Sequence, residues 1–211
     1  MKKNNTNLIE VIISIILLLT SFYFTFKSNY EEKNTYESYF ISNFSAFKMQ
    51  NDDISCGPSC ASMILDYYGK FHLYEDVRTE TKTEWFSYDH TKYGFTTPSN
   101  IQKTLLNHKV YCNYFRGNLR KLENCIVKNK PVICLVRSGK YTWHYVVVIG
   151  YSNNNIYLAN PSNGLLECVS KKIFYESWSF YGDLAGRNYS FFDSMILLLR
   201  TVEIYPNIMI V

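Results

Sequence analysis

A chain of 211 residues, 47% apolar and 17% aromatic, can bury one sizeable core but not two ordinary domains with a linker. Its net charge of +4, with 22 Lys and Arg scattered along the chain, lacks the clustered basic footprint of a nucleic-acid binder, so nucleic acid is not an expected partner. The six cysteines, Cys56, Cys60, Cys112, Cys125, Cys134 and Cys168, form neither paired CxxC motifs nor a dense framework; neither a metal site, a cofactor nor a disulfide scaffold is expected.

In chain order, the first element is the apolar run LIEVIISIILLLTSFYFTF over residues 8–26. As a helix it rises about 28 Å, close to the hydrocarbon thickness of a bilayer. Its polar side offers Ser-Phe-Tyr-Phe-Thr-Phe and no A-x-A-like pattern of small residues, so residues 1–26 are expected to be an uncleaved single-pass membrane anchor. Lys2 and Lys3 precede the run and Lys27 and Lys33 follow it; a short tail of this kind stays inside, which places the rest of the chain outside the cytoplasm. Glu10, near the inner edge, can snorkel.

Residues 27–43 mix charges, Asn and Tyr without a sustained period and read as a tether, with the globular domain expected over 44–211. Residues 58–68 carry a helical stripe at Cys60, Met63, Ile64, Tyr67 and Tyr68, stopped by Gly69. Residues 70–97 are polar, aromatic and irregular; 99–108 and 118–128 predict further short helices. The second half changes period, with short β-branched or aromatic runs at 109–115, 131–137, 143–151, 155–159 and 191–200. The run Tyr145-Val146-Val147-Val148-Ile149 has no polar alternation and predicts a central strand covered on both faces. Helices first and a mainly antiparallel sheet second describe an α+β domain.

Cys56 precedes the first helix of that domain. A thiol at a helix N-terminus faces unpaired N–H groups and the positive end of the macrodipole, which favour the nucleophilic thiolate. Gly57 would let a substrate approach the backbone, and the Cys56 N–H could donate to an oxyanion. A cysteine on an apolar helix is ordinarily a packing residue, and Cys60, on the stripe, is read that way. A thiol nucleophile needs a base, and the chain has four histidines. His72, His90 and His108 lie in polar stretches or at a helix-to-strand junction and read as solvated. His144 opens the most apolar strand, where its geometry would be fixed. Asn160 ends the next predicted strand, and a hairpin through Ser152-Asn153-Asn154 would bring it beside His144 to orient the imidazole. Read locally, Asn160-Pro161 is equally a turn initiator.

The segment QNDDISCGPSCASMILDYYG, from Gln50 to Gly69, closely resembles the active-site segment of the bacteriocin-processing, double-glycine-leader peptidase family of papain-like cysteine peptidases. That pattern has a Gln six positions before the nucleophilic Cys, Gly after it, and a helix ending in Tyr-Tyr-Gly; a His followed by aliphatics and then Asp-Pro come later. Here these positions are Gln50, Cys56, His144 and Asn160-Pro161, with Asn where the nearest relatives have Asp. The resemblance covers roughly residues 44–200. It implies a papain-like fold, a peptide or protein substrate, and an oxyanion role for the Gln50 side-chain amide. Such peptidases commonly precede an exporter and an ATPase in one chain; this sequence carries neither, and no Walker-type loop, so an exporter on a separate chain is the implied partner.

Three functions follow from this reading. The first is a membrane-anchored cysteine peptidase that hydrolyses peptide or isopeptide bonds through a thioester. A second resolves the thioester with an amine or thiol, as an acyltransferase or transpeptidase. The third is a membrane-tethered peptide-binding module without turnover.

Overall fold

The structure, a computed structural model, describes residues 12–20, 36–88, 91–138, 142–179 and 207–211, with side chains outside 85–93. The chain divides into two units, Met1–Thr35 and Tyr36–Val211. In the first, residues 12–20 form a helix (α1) whose Ile and Leu side chains are exposed. Among the described residues no helix is long and apolar enough to cross a membrane. The rest of the apolar run expected to span one lies outside them.

The second unit is built on one antiparallel sheet. Its strands are β1 (Tyr39–Phe40), β4 (Tyr114–Arg116), β5 (Val132–Arg137), β6 (Trp143–Tyr151), β7 (Asn155–Asn160), β8 (Leu165–Ser170) and β9 (Ile208–Ile210). They run in the order β4-β9-β5-β6-β7-β8, with β1 also paired to β6; a separate hairpin joins β2 (Glu84–Tyr88) to β3 (Thr91–Phe95). The helices are α2 (Cys56–Tyr67), α3 (Tyr74–Glu80), α4 (Pro98–Asn107), α5 (Leu119–Val127) and α6 (Lys171–Trp178). Val146, Val147, Val148 and Ile149 of β6 are at most 3% exposed, so both faces of this central strand are covered, as the unbroken aliphatic run predicts. α2 packs against β6, and Cys60, Met63 and Ile64 of its stripe are buried in the core.

Local chemistry sets the helix starts. Thr97, Asn118 and Ser170 cap α4, α5 and α6 by accepting from the N–H groups of Asn100, Lys121 and Ile173, and Pro98 occupies the first turn of α4, where a missing N–H costs nothing. Asn155 to Asn160 pairs back on β6 through Ser152-Asn153-Asn154, giving the hairpin expected from the turn residues.

Several boundaries differ from the sequence reading. Residues 39–40, placed in the tether, pair with β6, and Ile41 is fully buried, so the compact unit begins at Tyr36 and not at residue 44. Gly150 makes this possible: a Cβ there would lie 2.6 Å from the Phe40 ring and 3.1 Å from the Tyr39 carbonyl. The stretch 70–97, read as irregular, contains α3 and the β2–β3 hairpin. The strand expected over 109–115 shortens to β4, while β8, α6 and β9 had no expected counterpart. The strand expected over 191–200 lies outside the described residues. β9 is recruited by tertiary contact, since Trp178 of α6 donates its indole N–H to the Ile208 carbonyl at 2.8 Å.

Candidate active site

Cys56 is the first residue of α2, and Ser55 before it has the non-helical φ of −90° and ψ of 18° of a cap. The Ser55 hydroxyl does not cap the helix. It donates to Asp52 Oδ1 at 2.5 Å and accepts from Arg78 Nε at 3.1 Å, while Arg78 Nη2 pairs with Asp52 Oδ2 at 2.7 Å. Asp52 Oδ1 also accepts from the Ile54 N–H, closing an Asx turn. The residues leading to Cys56 are thus clamped to α3.

The backbone N–H groups of Tyr145, Gly57 and Cys56 itself lower the Cys56 pKa. Tyr145 follows His144 on β6. All three N–H groups favour thiolate, as expected for a helix N-terminus, yet burial and the Asp52 charge outweigh them and push the thiol above its usual value. Gly57 is needed for a reason other than substrate access: a Cβ there would lie 2.9 Å from Thr96, whose carbonyl accepts from the Tyr145 hydroxyl at 3.0 Å.

His144 pairs with Val136 of β5 and sits at the start of β6. Its Nε2 lies 2.8 Å from Asn160 Oδ1 and 3.1 Å from Ser162 Oγ. The Ser162 backbone N–H donates to the same Asn160 Oδ1 at 3.0 Å. An N–H needs an acceptor, so the amide oxygen of Asn160 must face both groups. His144 Nε2 therefore carries the proton, and the lone pair is left on Nδ1. Burial lowers the His144 pKa, opposed by the Asn160 hydrogen bond and the Glu167 charge. Both shifts, the thiol up and the imidazole down, favour the uncharged form of each group.

Gln50 reaches this place from another direction. Its backbone N–H donates to the Pro161 carbonyl at 2.7 Å, and its Nε2 donates to the Asp52 carbonyl at 2.8 Å. Among the described residues that leaves one Nε2 proton uncommitted and Oε1 buried without a hydrogen-bond partner. The neighbouring Met49 backbone lies against Gly164, where a Cβ would come within 2.9 Å of Met49 N.

Cys56, His144, Asn160 and Gln50 thus meet where α2, the β6–β7 hairpin and the segment before α2 converge. Ser162, Asp52 and Arg78 join them, none singled out in the sequence. An Asp three residues before Ser55 is a turn signal that could have marked Asp52, and Pro161-Ser162 extends the recognised Asn-Pro turn; Arg78, 26 residues from Asp52, gave no local signal. His72 differs from the expectation of a solvated side chain. The His72 side chain is 3% exposed, with Nε2 2.5 Å from Ser62 Oγ and Nδ1 2.9 Å from the Lys70 carbonyl, so it is a satisfied core residue and not a solvated one. His108 Nε2 lies 3.2 Å from Glu80 Oε1. His90 lies outside the described residues.

All six cysteines are free thiols, and Cys60 is fully buried in the core. Among the described residues no cluster of three or more His, Cys, Asp or Glu could hold a metal ion. A cavity of about 320 Å³ lies at the opposite end of α2, lined by Ile64, Tyr68 and Leu105 among others, and includes none of the site residues.

The sequence profile of the peptidase C39-like family matches residues 42–185. The chain belongs to that family, which is one of cysteine peptidases. Its α+β fold is shared with solved structures. One is a double glycine motif protease from an AMS/PCAT transporter in complex with the leader peptide, with TM-score 0.51, 19% identity, and 77% of this chain and 86% of that one covered. Another, a C39-like peptidase from Bacillus anthracis, has TM-score 0.60 and 17% identity over 70% and 94% of the two chains. A third, the peptidase domain of Streptococcus ComA, a bi-functional ABC transporter involved in quorum sensing, has TM-score 0.52 and 19% identity over 78% and 94%. No curated protein matches the chain.

Proposed function

We propose that the chain is a membrane-anchored cysteine peptidase that hydrolyses peptide bonds through a thioester, with Cys56 as nucleophile, His144 as base and acid, Asn160 as the imidazole's orienting partner and Gln50 as an oxyanion donor. The single observation that carries this reading is the contact of His144 Nε2 with Asn160 Oδ1 at 2.8 Å, which leaves the lone pair on Nδ1, while the backbone of the adjoining Tyr145 acts on the Cys56 thiol. His144 takes the thiol proton as sulfur attacks the scissile carbonyl. The oxyanion is held by the free Nε2 proton of Gln50 and the Cys56 N–H. The imidazolium then protonates the departing amine, and His144 activates water to release the acyl group.

The apolar run over 8–26, helical where described and with exposed aliphatic side chains, supports residues 1–26 as the anchor, 27–35 as a tether and an extracytoplasmic domain after it. Similarity to a leader-peptide-bound protease and a transporter's peptidase domain supports a peptide substrate and an exporter on another chain as partner.

The test compares the protein termini in envelope and supernatant of cells carrying the native protein or Cys56→Ala. Termini lost in the variant name the substrate. New amide linkages lost in their place would assign acyl transfer. Identical termini, together with a Cys56 inert to thiol-directed electrophiles in the native chain, would leave only the binding module.

A further inference from the structure

Asn160 does not hold His144 alone. The turn after β7 is knitted by Gly164 N–H to the Asn160 carbonyl at 2.8 Å, Leu165 N–H to Asn163 Oδ1 at 2.9 Å and Asn163 Nδ2 to Glu167 Oε1 at 2.6 Å. Gly164 sits at φ +67°, the left-handed conformation that a glycine takes without strain. Ser162 is therefore presented from a fixed turn. Its exposed side chain lies on the solvent side of an imidazole nitrogen whose proton already points at Asn160.

We propose that the Ser162 hydroxyl is a positioning group for His144, accepting a second, shared hydrogen bond from Nε2–H so that the ring stays turned with Nδ1 toward the Cys56 thiol. This deepens the functional reading above and rests on it for the meaning of that orientation. The chemistry is specific. Asn160 supplies a neutral oxygen to the imidazolium that forms during catalysis, and that oxygen already serves the Ser162 N–H. A hydroxyl oxygen at 3.1 Å takes part of the positive charge, at a place where the alternative is a mobile water. The backbone N–H of Ser162 fixes which atom of Asn160 faces the ring, while the side chain steadies the ring itself. The two roles separate cleanly, because Ser162→Ala keeps the first and deletes the second. Among the described residues the charged group that acts on the ring is Glu167 on β8, and the change leaves it in place.

The experiment is a nitrogen NMR titration of the histidines in the full chain, native, Ser162→Ala and Ser162→Thr, with His144 assigned from a His144→Gln sample. A hydrogen bond that strengthens on protonation raises the imidazole pKa, so its loss in the alanine variant lowers the His144 midpoint by roughly half a unit to one unit. Ser162→Thr, which keeps the hydroxyl, titrates with the native protein, and Nε2 carries the proton of the neutral ring in all three. A merely structural role would not move the midpoint while leaving the tautomer intact. The inference is overturned if the alanine variant titrates with the native chain, if the threonine variant shifts as far as alanine, or if the native neutral ring carries its proton on Nδ1. The peptidase reading fails by a different signal, an inert Cys56 with unchanged cellular termini, which leaves this titration as it is.

Discussion

His144 Nε2 lies 2.8 Å from Asn160 Oδ1. This one hydrogen bond joins the start of β6 to the end of β7, and so ties the orientation of the imidazole to the hairpin that carries both residues. The Tyr145 backbone, one residue further along β6, acts on the Cys56 thiol at the first turn of α2.

Alkylation of Cys56 should follow from the two opposed pKa shifts. The thiol stands above its usual value of 9.0, so the rate of modification by a small electrophile keeps rising past pH 9, without the neutral plateau of a thiolate–imidazolium pair. Turnover obeys the other group. His144 must be neutral to accept a proton, and its pKa is lowered from 6.5, so the neutral form persists into more acidic solution and the acid limb of kcat/KM falls below pH 6.5. A pH series read by mass spectrometry for alkylation, and by initial rates for turnover, checks both.

Asn160→Asp keeps an oxygen acceptor for both the His144 Nε2–H and the Ser162 N–H. Its negative charge favours the imidazolium, so the His144 pKa rises and the acid limb moves to higher pH, with the site geometry retained. Asn160→Ala removes the acceptor and strands the Ser162 N–H, and kcat should fall about 10-fold to 100-fold with a smaller change in KM. Steady-state kinetics across pH on the two variants separate charge from orientation.

Arg78→Ala tests the clamp on the residues before Cys56. Arg78 and Asp52 have side-chain exposures of 32% and 35%, so the ion pair itself contributes at most about 1 kcal/mol to stability. Its removal also frees Ser55 and the Asp52 carbonyl that holds the Gln50 amide. The expected outcome is a small loss in denaturant midpoint with a disproportionate fall in kcat, toward the value of Gln50→Ala, which should lose roughly 100-fold or more as an oxyanion donor. Equal, modest losses in both measurements would show the clamp to be structural only.

Gly94→Ala should be among the most damaging small substitutions. A Cβ at Gly94 would lie 1.7 Å from Ile54 Cγ2 and 3.0 Å from Ile54 Cα, against the backbone that leads to Cys56. Relief requires the β2–β3 hairpin or the 52–55 turn to shift, at a cost of roughly 1–3 kcal/mol. Thermal unfolding reads that cost, and the Cys56 alkylation rate reports whether the turn moved.

The local order of the chain determined a good deal by itself. The aliphatic run 145–149 could only be a covered central strand, the Cys60, Met63 and Ile64 stripe could only face a core, and Ser152-Asn153-Asn154 between two short runs made a hairpin that returns Asn160 to His144. Each signal lies within a few residues of what it specifies, so sequence periodicity and turn chemistry suffice. Gln50, Cys56 and His144 are picked out in the sequence by a spacing that resembles the family's pattern. Tertiary structure alone decided what depends on distant neighbours. Residues 39–41 look like tether until β6 supplies their hydrogen bonds, and β9 has too few residues to announce a strand before β4, β5 and Trp178 pair with it. The side chain of His72 has a polar sequence context and is nonetheless buried, with Ser62 and Lys70 as hydrogen-bond partners. The direction of the Cys56 shift likewise could not be read from its place at a helix N-terminus. Short-range dipoles are written in the local sequence, but desolvation is set by every atom the fold packs around the sulfur, and here it outweighs them.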